Sequence, residues 1–425
     1  MLPYYILYLV ILAGAGLCLT PDVQYRKALQ KIFIPSLLVS LCFFAGIRSA
    51  TVDRDYLNYL AWFHLIAQGS LSLFDWIKDP AFVFASVIAA GLRLEYSAVV
   101  IAFVSAALAM KFWFARETCS GQWLTLFLYL MFCRFFFGQE MTEIRAAVAI
   151  PLMSIAILWA GRGLKGRAIG AYVAALVFHL STLAVLPIFL LLLFGVRFRS
   201  IYWILGLVPI GIAVGVMLRG LLPTLSDFSR LTPYLNGDVD SGAINFFSIY
   251  LLARVCALLT LICVFWRGLD VEERLIVFCS GLGLLIQFSL ASNGNLALRL
   301  SDLFGLFDVL VLIMPLKHFK QTYASFALAY LLLLVVIGGS LFASTVNIVQ
   351  PYAVAFRREG VNQDHKVFYS ADALRTLDHR RRLQGLFSVP GFIKSETLSR
   401  RIRQYCLVAV YKKNPLEAPS RRQNM

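Results

Sequence analysis

The chain has 425 residues, 60% of them apolar or aromatic and 15% charged, with a mean hydropathy of +0.76. A soluble domain carries about 45–50% apolar and about 25% charged residues, so this sequence lacks the polar surface that a water-soluble fold of its length needs. The formal charge of +16 is concentrated in residues 357–425, where 15 Lys/Arg stand against 6 Asp/Glu. On an otherwise bilayer-soluble chain, that favours anionic membrane lipid over nucleic acid as the basic partner.

A bilayer crossing takes about 20 mostly apolar residues. In chain order, candidate spans lie near 3–19, 31–47, 97–114, 122–138, 144–160, 168–180, 182–195, 201–218, 246–266, 274–291, 301–316 and 323–346. The expected fold is therefore an all-α polytopic membrane protein with about 12 transmembrane helices. The run at 80–92 is too short to cross and reads as an interfacial or re-entrant helix. The first run, from Pro3 to Leu19, lacks a basic leader and a small-residue cleavage site, so it reads as a retained helix. Residues 1–356 form the expected transmembrane domain and 357–425 a basic tail.

Orientation follows the Lys/Arg of short loops. Breaks at Arg26/Lys27/Lys31, Lys111/Arg116, Arg162/Lys165/Arg167, Arg197/Arg199, Arg267/Arg274 and Lys317/Lys320 are expected on the cytoplasmic side. The breaks 48–79, 138–145, 219–245 and 292–300 then face outward, provided 80–92 does not span. The same alternation puts Asn347 and the basic tail outside, against the charge bias. The eight cysteines form no C-x-x-C pair and mostly lie in apolar runs. No disulfide framework, metal site or cofactor loop is expected.

The outer breaks hold the residues that could carry chemistry. Arg48 precedes Asp53-Arg54-Asp55-Tyr56, with Tyr59 and Phe63 following on one helical face. One reading is a surface helix capped by Asp53 or Asp55. The other is a carboxylate beside an aromatic platform for sugar. A D-x-D also suits a divalent ion, although nucleotide-sugar chemistry belongs on the opposite side of the membrane. Glu140, Glu143 and Arg145 crowd the mouth of the 144–160 span. There Arg145 either pairs with a neighbouring glutamate or grips phosphate with its planar fork. His179 ends an apolar run, either as a structural imidazole or as a functional group near the membrane. Arg254 and Asp308 lie within spans and are each other's natural partner. Arg299 stands one turn before Asp302. Arg48, Arg145 and Arg299 thus bring three guanidiniums to one leaflet, as an anionic lipid-pyrophosphate head would require.

In this order the segments resemble the EpsG/Wzy-type polysaccharide polymerases of bacterial inner membranes. The matching pieces are Arg48; Asp53-Arg54-Asp55-Tyr56-Leu57-Asn58-Tyr59; Asp79-Pro80-Ala81-Phe82; Arg145-Ala146-Ala147-Val148-Ala149; Phe178-His179-Leu180-Ser181; Arg299; and Pro351-Tyr352. The chain departs from the family pattern at Asp53, where Gly is usual, at Ala146, where Gln is usual, and at Asp79, where Glu is usual. The resemblance covers roughly residues 1–356 and leaves the tail unexplained.

It implies glycosyl transfer between undecaprenyl-pyrophosphate-linked oligosaccharide repeat units at the outer face of the inner membrane. Arg145 and Arg299, supported by Arg48, would hold pyrophosphate. Asp55 or His179, or else Glu143, would be the base, and Tyr56 and Tyr59 would stack on sugar. No metal or cofactor is implied. A chain-length regulator, a flippase and export proteins would be partners. The rivals are a lipid-linked oligosaccharide flippase or carrier, a non-catalytic synthase subunit, and a ligase with the same chemistry.

Overall fold

In a computed structural model of the chain, the described residues are 2–20, 22–48, 55–69, 79–119, 121–198, 200, 202, 203, 206, 209, 248–291, 294–319 and 324–346. The chain divides at Phe356/Arg357 into two units, and only the first contains described residues. Asp53 and Arg54, the break 219–245, Asn293, Pro351-Tyr352 and the whole basic tail fall outside the described residues.

Every regular element described is helical, and no strand occurs among these residues. The order is α1 Leu2–Leu17, α2 Val23–Gly46, α3 Tyr56–Ala67, α4 Pro80–Gly91, α5 Tyr96–Thr118 and α6 Gln122–Met131. A π-helical segment, Phe132–Glu140, continues α6. Then come α7 Ile144–Gly161, α8 Lys165–Phe178, a 3-10 turn Leu180–Val185, α9 Leu186–Leu193 and α10 Ile249–Thr260. The series closes with α11 Val271–Ser289, α12 Gly294–Asp302, α13 Gly305–His318 and α14 Ala324–Val346. This is a helical membrane protein.

Among the described residues, five helical stretches are long and apolar enough to cross a membrane: Val23–Gly46, Tyr96–Thr118, Ile144–Gly161, Ile249–Gly268 and Ser325–Val346. The expectation of about 12 is not reached among the described residues. Most of 201–218 is outside them, and other expected spans are interrupted. Residues 122–140 change from α to π, while Leu2–Leu17 and Leu180–Leu193 are apolar but short; Pro80–Gly91 is short as well, as expected of a run that does not count as a span.

The π segment has a packing cause. In an α-helix, residues i+4 and i+5 from a given side chain diverge by about 100°. Here Phe132 meets both Phe136, at 5.3 Å, and Phe137, at 5.6 Å. The wider π turn lets both rings share that neighbour. Two threonines take up backbone carbonyls of the segment: Thr345 Oγ1 donates to Cys133 O at 3.0 Å and Thr142 Oγ1 to Phe137 O at 2.8 Å.

Contacts between helix ends sort them into two sets. At one end, Arg162 after α7 bonds Glu117 of α5 at 2.5 Å and Glu272 of α11 at 2.7 Å. There too, Lys317 of α13 reaches Glu273 at 2.8 Å, and Gln30 of α2 reaches Gly121 O at 2.9 Å. At the opposite end of the same helices lie Arg48, Asp79, Arg145 and Glu143. The α4–α5 hairpin is antiparallel, so Phe82 meets Phe103, two turns down α5, at 6.0 Å.

Candidate functional site

Three helices begin toward this second end, α4 two turns of α5 in from it, and each has a carboxylate at its N-cap. Asp55 precedes α3, Asp79 precedes α4 and Glu143 precedes α7, and none of the three makes a side-chain capping bond. The expected cap by Asp55 is therefore not formed. At Asp79 the carboxylate pairs with Arg145 instead of turning back to the N–H groups of the first turn. The positive ends of these three helix dipoles add to the cationic side chains nearby.

Arg145 is the centre of the arrangement. Its Nε donates to the Tyr59 hydroxyl at 3.1 Å, and Nη1 pairs with Asp79. The guanidinium lies over the rings of Tyr59 (5.0 Å) and Trp62 (5.6 Å), a cation–π arrangement that holds its plane. The expected pairing with Glu140 or Glu143 gives way to Asp79, which lies 66 positions earlier in sequence. Burial pushes the Tyr59 hydroxyl above its ordinary range, with Arg145 opposing that shift, so the phenol stays protonated.

Arg299 stands 3.4 Å from Glu143, with 46% and 33% of their side chains exposed. Glu143 also feels Asp302, Asp55 and Arg145. Burial raises its carboxyl above the usual carboxylate range, and Arg299 pulls it partly back. His179 is the reversal point between α8 and the 3-10 turn; Tyr172 stacks on Phe189 across that reversal at 4.2 Å. Its Nδ1 is buried with no hydrogen-bond partner among the described residues. Arg145 and Arg299 both act on His179 electrostatically. Asp55, Glu143, Arg145, His179 and Arg299 are thus brought together at one end of the bundle.

Arg48, Tyr56 and Tyr59 are the most deeply buried of the expected site residues. Arg48 is 1% exposed and donates to Ala45 O and, at 2.5 Å, to Met141 O. It ties the end of α2 to the turn before α7 through these two carbonyls. Tyr56 lies under Arg48, edge-on to Tyr96, and Tyr59 lies under Arg145 against Phe82. Both rings are buried and carry guanidiniums rather than presenting open faces to sugar.

Sequence reasoning missed three features. Lys111 belongs to no loop: it is fully buried and 2.5 Å from Glu140, which is equally buried at the end of the π segment. Arg134, inside that segment, pairs with Asp302 at 2.5 Å and lies over Tyr250. Asp79 orients Arg145; its place as the family's usual Glu was the one available signal. Deeper in the bundle, Arg254 pairs with Asp308 at 2.8 Å and donates to Ser280 O at 2.6 Å.

Among the described residues, no group of three or more His, Cys, Asp or Glu converges as a metal cage would. The chain matches the family model described as "EpsG family" over residues 31–354. No curated protein and no solved structure matches it.

Proposed function

The chain belongs to the EpsG family, and from that membership we propose a membrane-embedded polysaccharide polymerase. Its substrates are undecaprenyl-pyrophosphate-linked oligosaccharides, joined at the periplasmic face of a bacterial inner membrane. A hydroxyl of the incoming unit attacks the anomeric carbon of the growing chain. The bond from that carbon to the lipid pyrophosphate breaks, and pyrophosphate leaves with the electron pair. Chain-length regulators, flippases and export proteins would act on either side of this step.

The observation that carries the reading is that Arg145 and Arg299 flank Glu143, Arg145 two residues on in sequence and Arg299 at 3.4 Å from the carboxylate. A departing pyrophosphate needs fixed positive charge where its own charge develops. A guanidinium has five N–H donors, and Tyr59 and Asp79 take two of those on Arg145. The acceptor hydroxyl needs a base within hydrogen-bond reach. Glu143 is our first choice, because burial raises its proton affinity toward the working pH. His179 is second and Asp55 third. Arg48, Tyr56 and Tyr59 position these groups.

The test is polymer length in cells carrying Arg145→Ala, Glu143→Gln or His179→Ala at matched protein amounts. Collapse to single lipid-linked units that still reach the outer leaflet is the expected result. A second reading, translocation of lipid-linked units, draws on the charges buried deeper, Lys111–Glu140 and Arg254–Asp308. It predicts that the same variants strand the units on the cytoplasmic leaflet.

A further inference from the structure

An apolar groove of about 540 Å³ runs beside the site, between α4, α5 and the end of α8. Ala85, Ala102 and Ala106 line it with small side chains, and Phe84, Phe103 and Phe178 form its walls. Only 12 residues long, α4 spans about 18 Å and leaves much of the 23-residue α5 uncovered. The groove therefore opens sideways, with Phe84 on its rim at 60% exposure.

The groove and the cationic site share a wall. Arg145 rests on Tyr59 and Trp62; Phe82 packs on both, at 5.4 and 4.7 Å. Phe82 meets Phe103 at 6.0 Å, and Phe103 meets Phe178 at 5.6 Å, the residue before His179. Pro80, at the groove's edge, follows Asp79, the partner of Arg145. The groove reaches Ala106, one turn beyond Phe103 and farther from the end that holds the site. An amphiphile with its anionic head on Arg145 would lay its chain here.

We propose that this groove seats the first isoprenoid units of the lipid-pyrophosphate substrate, so that the pyrophosphate emerges against Arg145. The proposal rests on the function proposed above. Bilayer tails are as apolar as the groove, so it gains little from hydrophobic burial. Its contribution is position: a held tail fixes where the scissile bond sits.

The experiment is photo-crosslinking of the full-length protein in vesicles of phosphatidylglycerol and phosphatidylethanolamine. The photoreactive benzoylphenylalanine replaces Phe84 in one sample and the lipid-facing Phe43, 59% exposed on α2, in another. The probe is tritiated undecaprenyl pyrophosphate. Capture at position 84 should exceed capture at position 43 several-fold and fall on adding unlabelled undecaprenyl pyrophosphate. Equal capture at the two positions, or competition by phospholipid alone, overturns the proposal.

A second arm replaces Ala106 with Trp and compares donors with full-length and two-isoprene tails. The groove predicts a KM for the long donor raised several-fold and a flattened dependence on tail length. An unchanged dependence overturns the proposal. Selective capture in a protein that makes no polymer would leave the tail site standing while sinking the polymerase reading.

Discussion

At the scale of single residues, the acid limb of activity should belong to Glu143. As a base it must be ionised, so the rate rises with pH through its pKa, which burial sets above the ordinary carboxylate range. Arg299 holds that pKa down, so Arg299→Gln should move the acid limb of kcat/KM to higher pH, while Glu143→Gln should abolish the limb together with the activity. A pH profile of polymer formation in vesicles reads both outcomes; an unmoved limb in Arg299→Gln removes Glu143 from the base role. Lys111 belongs to the same scale. Lys111→Met leaves Glu140 charged and buried without its partner, which costs about 3–5 kcal/mol and should lower the thermal unfolding midpoint in detergent. Adding Glu140→Leu should restore most of it; if the double variant is as weak as the single one, the pair is not what Lys111 contributes. The sequence exposed these residues unevenly. Arg145, Glu143 and Arg299 stood out because charges beside apolar runs are rare. The pairings Asp79–Arg145 and Lys111–Glu140 did not, because the chain brings their members together from 66 and 29 positions away.

At the scale of elements, the π segment Phe132–Glu140 sets the rotation of all that follows it: Glu140, Met141, Glu143 and the start of α7. Each residue of an α-helix turns the chain by about 100°. Inserting one alanine after Phe136 should turn everything that follows by about 100° and carry Glu140 away from Lys111 and Glu143 away from Arg299. The expected outcome is loss of polymer with helical content by circular dichroism and protein amount both retained. Full activity after the insertion would mean that the register is not set here. Nothing in Phe-Cys-Arg-Phe-Phe-Phe-Gly-Gln-Glu announces a π turn, because its cause is how Phe136 and Phe137 share Phe132 in the folded bundle. The buried face of α3 was legible by contrast. Tyr56, Tyr59 and Phe63 fall on one helical stripe, and all three are buried. What that face covers was not, since Arg48 and Arg145 arrive from other helices.

At the scale of the whole molecule, the two ends of the bundle make a prediction about sidedness. With single cysteines in an otherwise cysteine-free background, Glu95→Cys should react with a membrane-impermeant maleimide in intact spheroplasts. Lys165→Cys should react only after the membrane is opened. Both side chains are exposed, at opposite ends of the bundle, so a reversed pattern would invert the orientation derived from the basic loops. Hydropathy made the helical, membrane-borne character plain at first sight. Among the described residues five of the expected spans are long unbroken helical stretches; length and apolarity do not register where a helix breaks at His179 or changes pitch at Phe132. The ion pairs of Arg162 also govern how the protein must be handled outside the cell. Arg162 joins α5, α7 and α11 through ion pairs whose side chains remain roughly a third exposed, whereas Lys111–Glu140 is fully enclosed. Exposed pairs weaken as the Debye length shrinks, from about 10 Å at 0.1 M salt to about 3 Å at 1 M. A concentrated-salt extraction buffer would thus loosen the Arg162 end while leaving the enclosed Lys111–Glu140 lock intact. The same preparation would keep its overall helicity while the ends of α5, α7 and α11 part at Arg162, so low ionic strength is the condition in which to purify it.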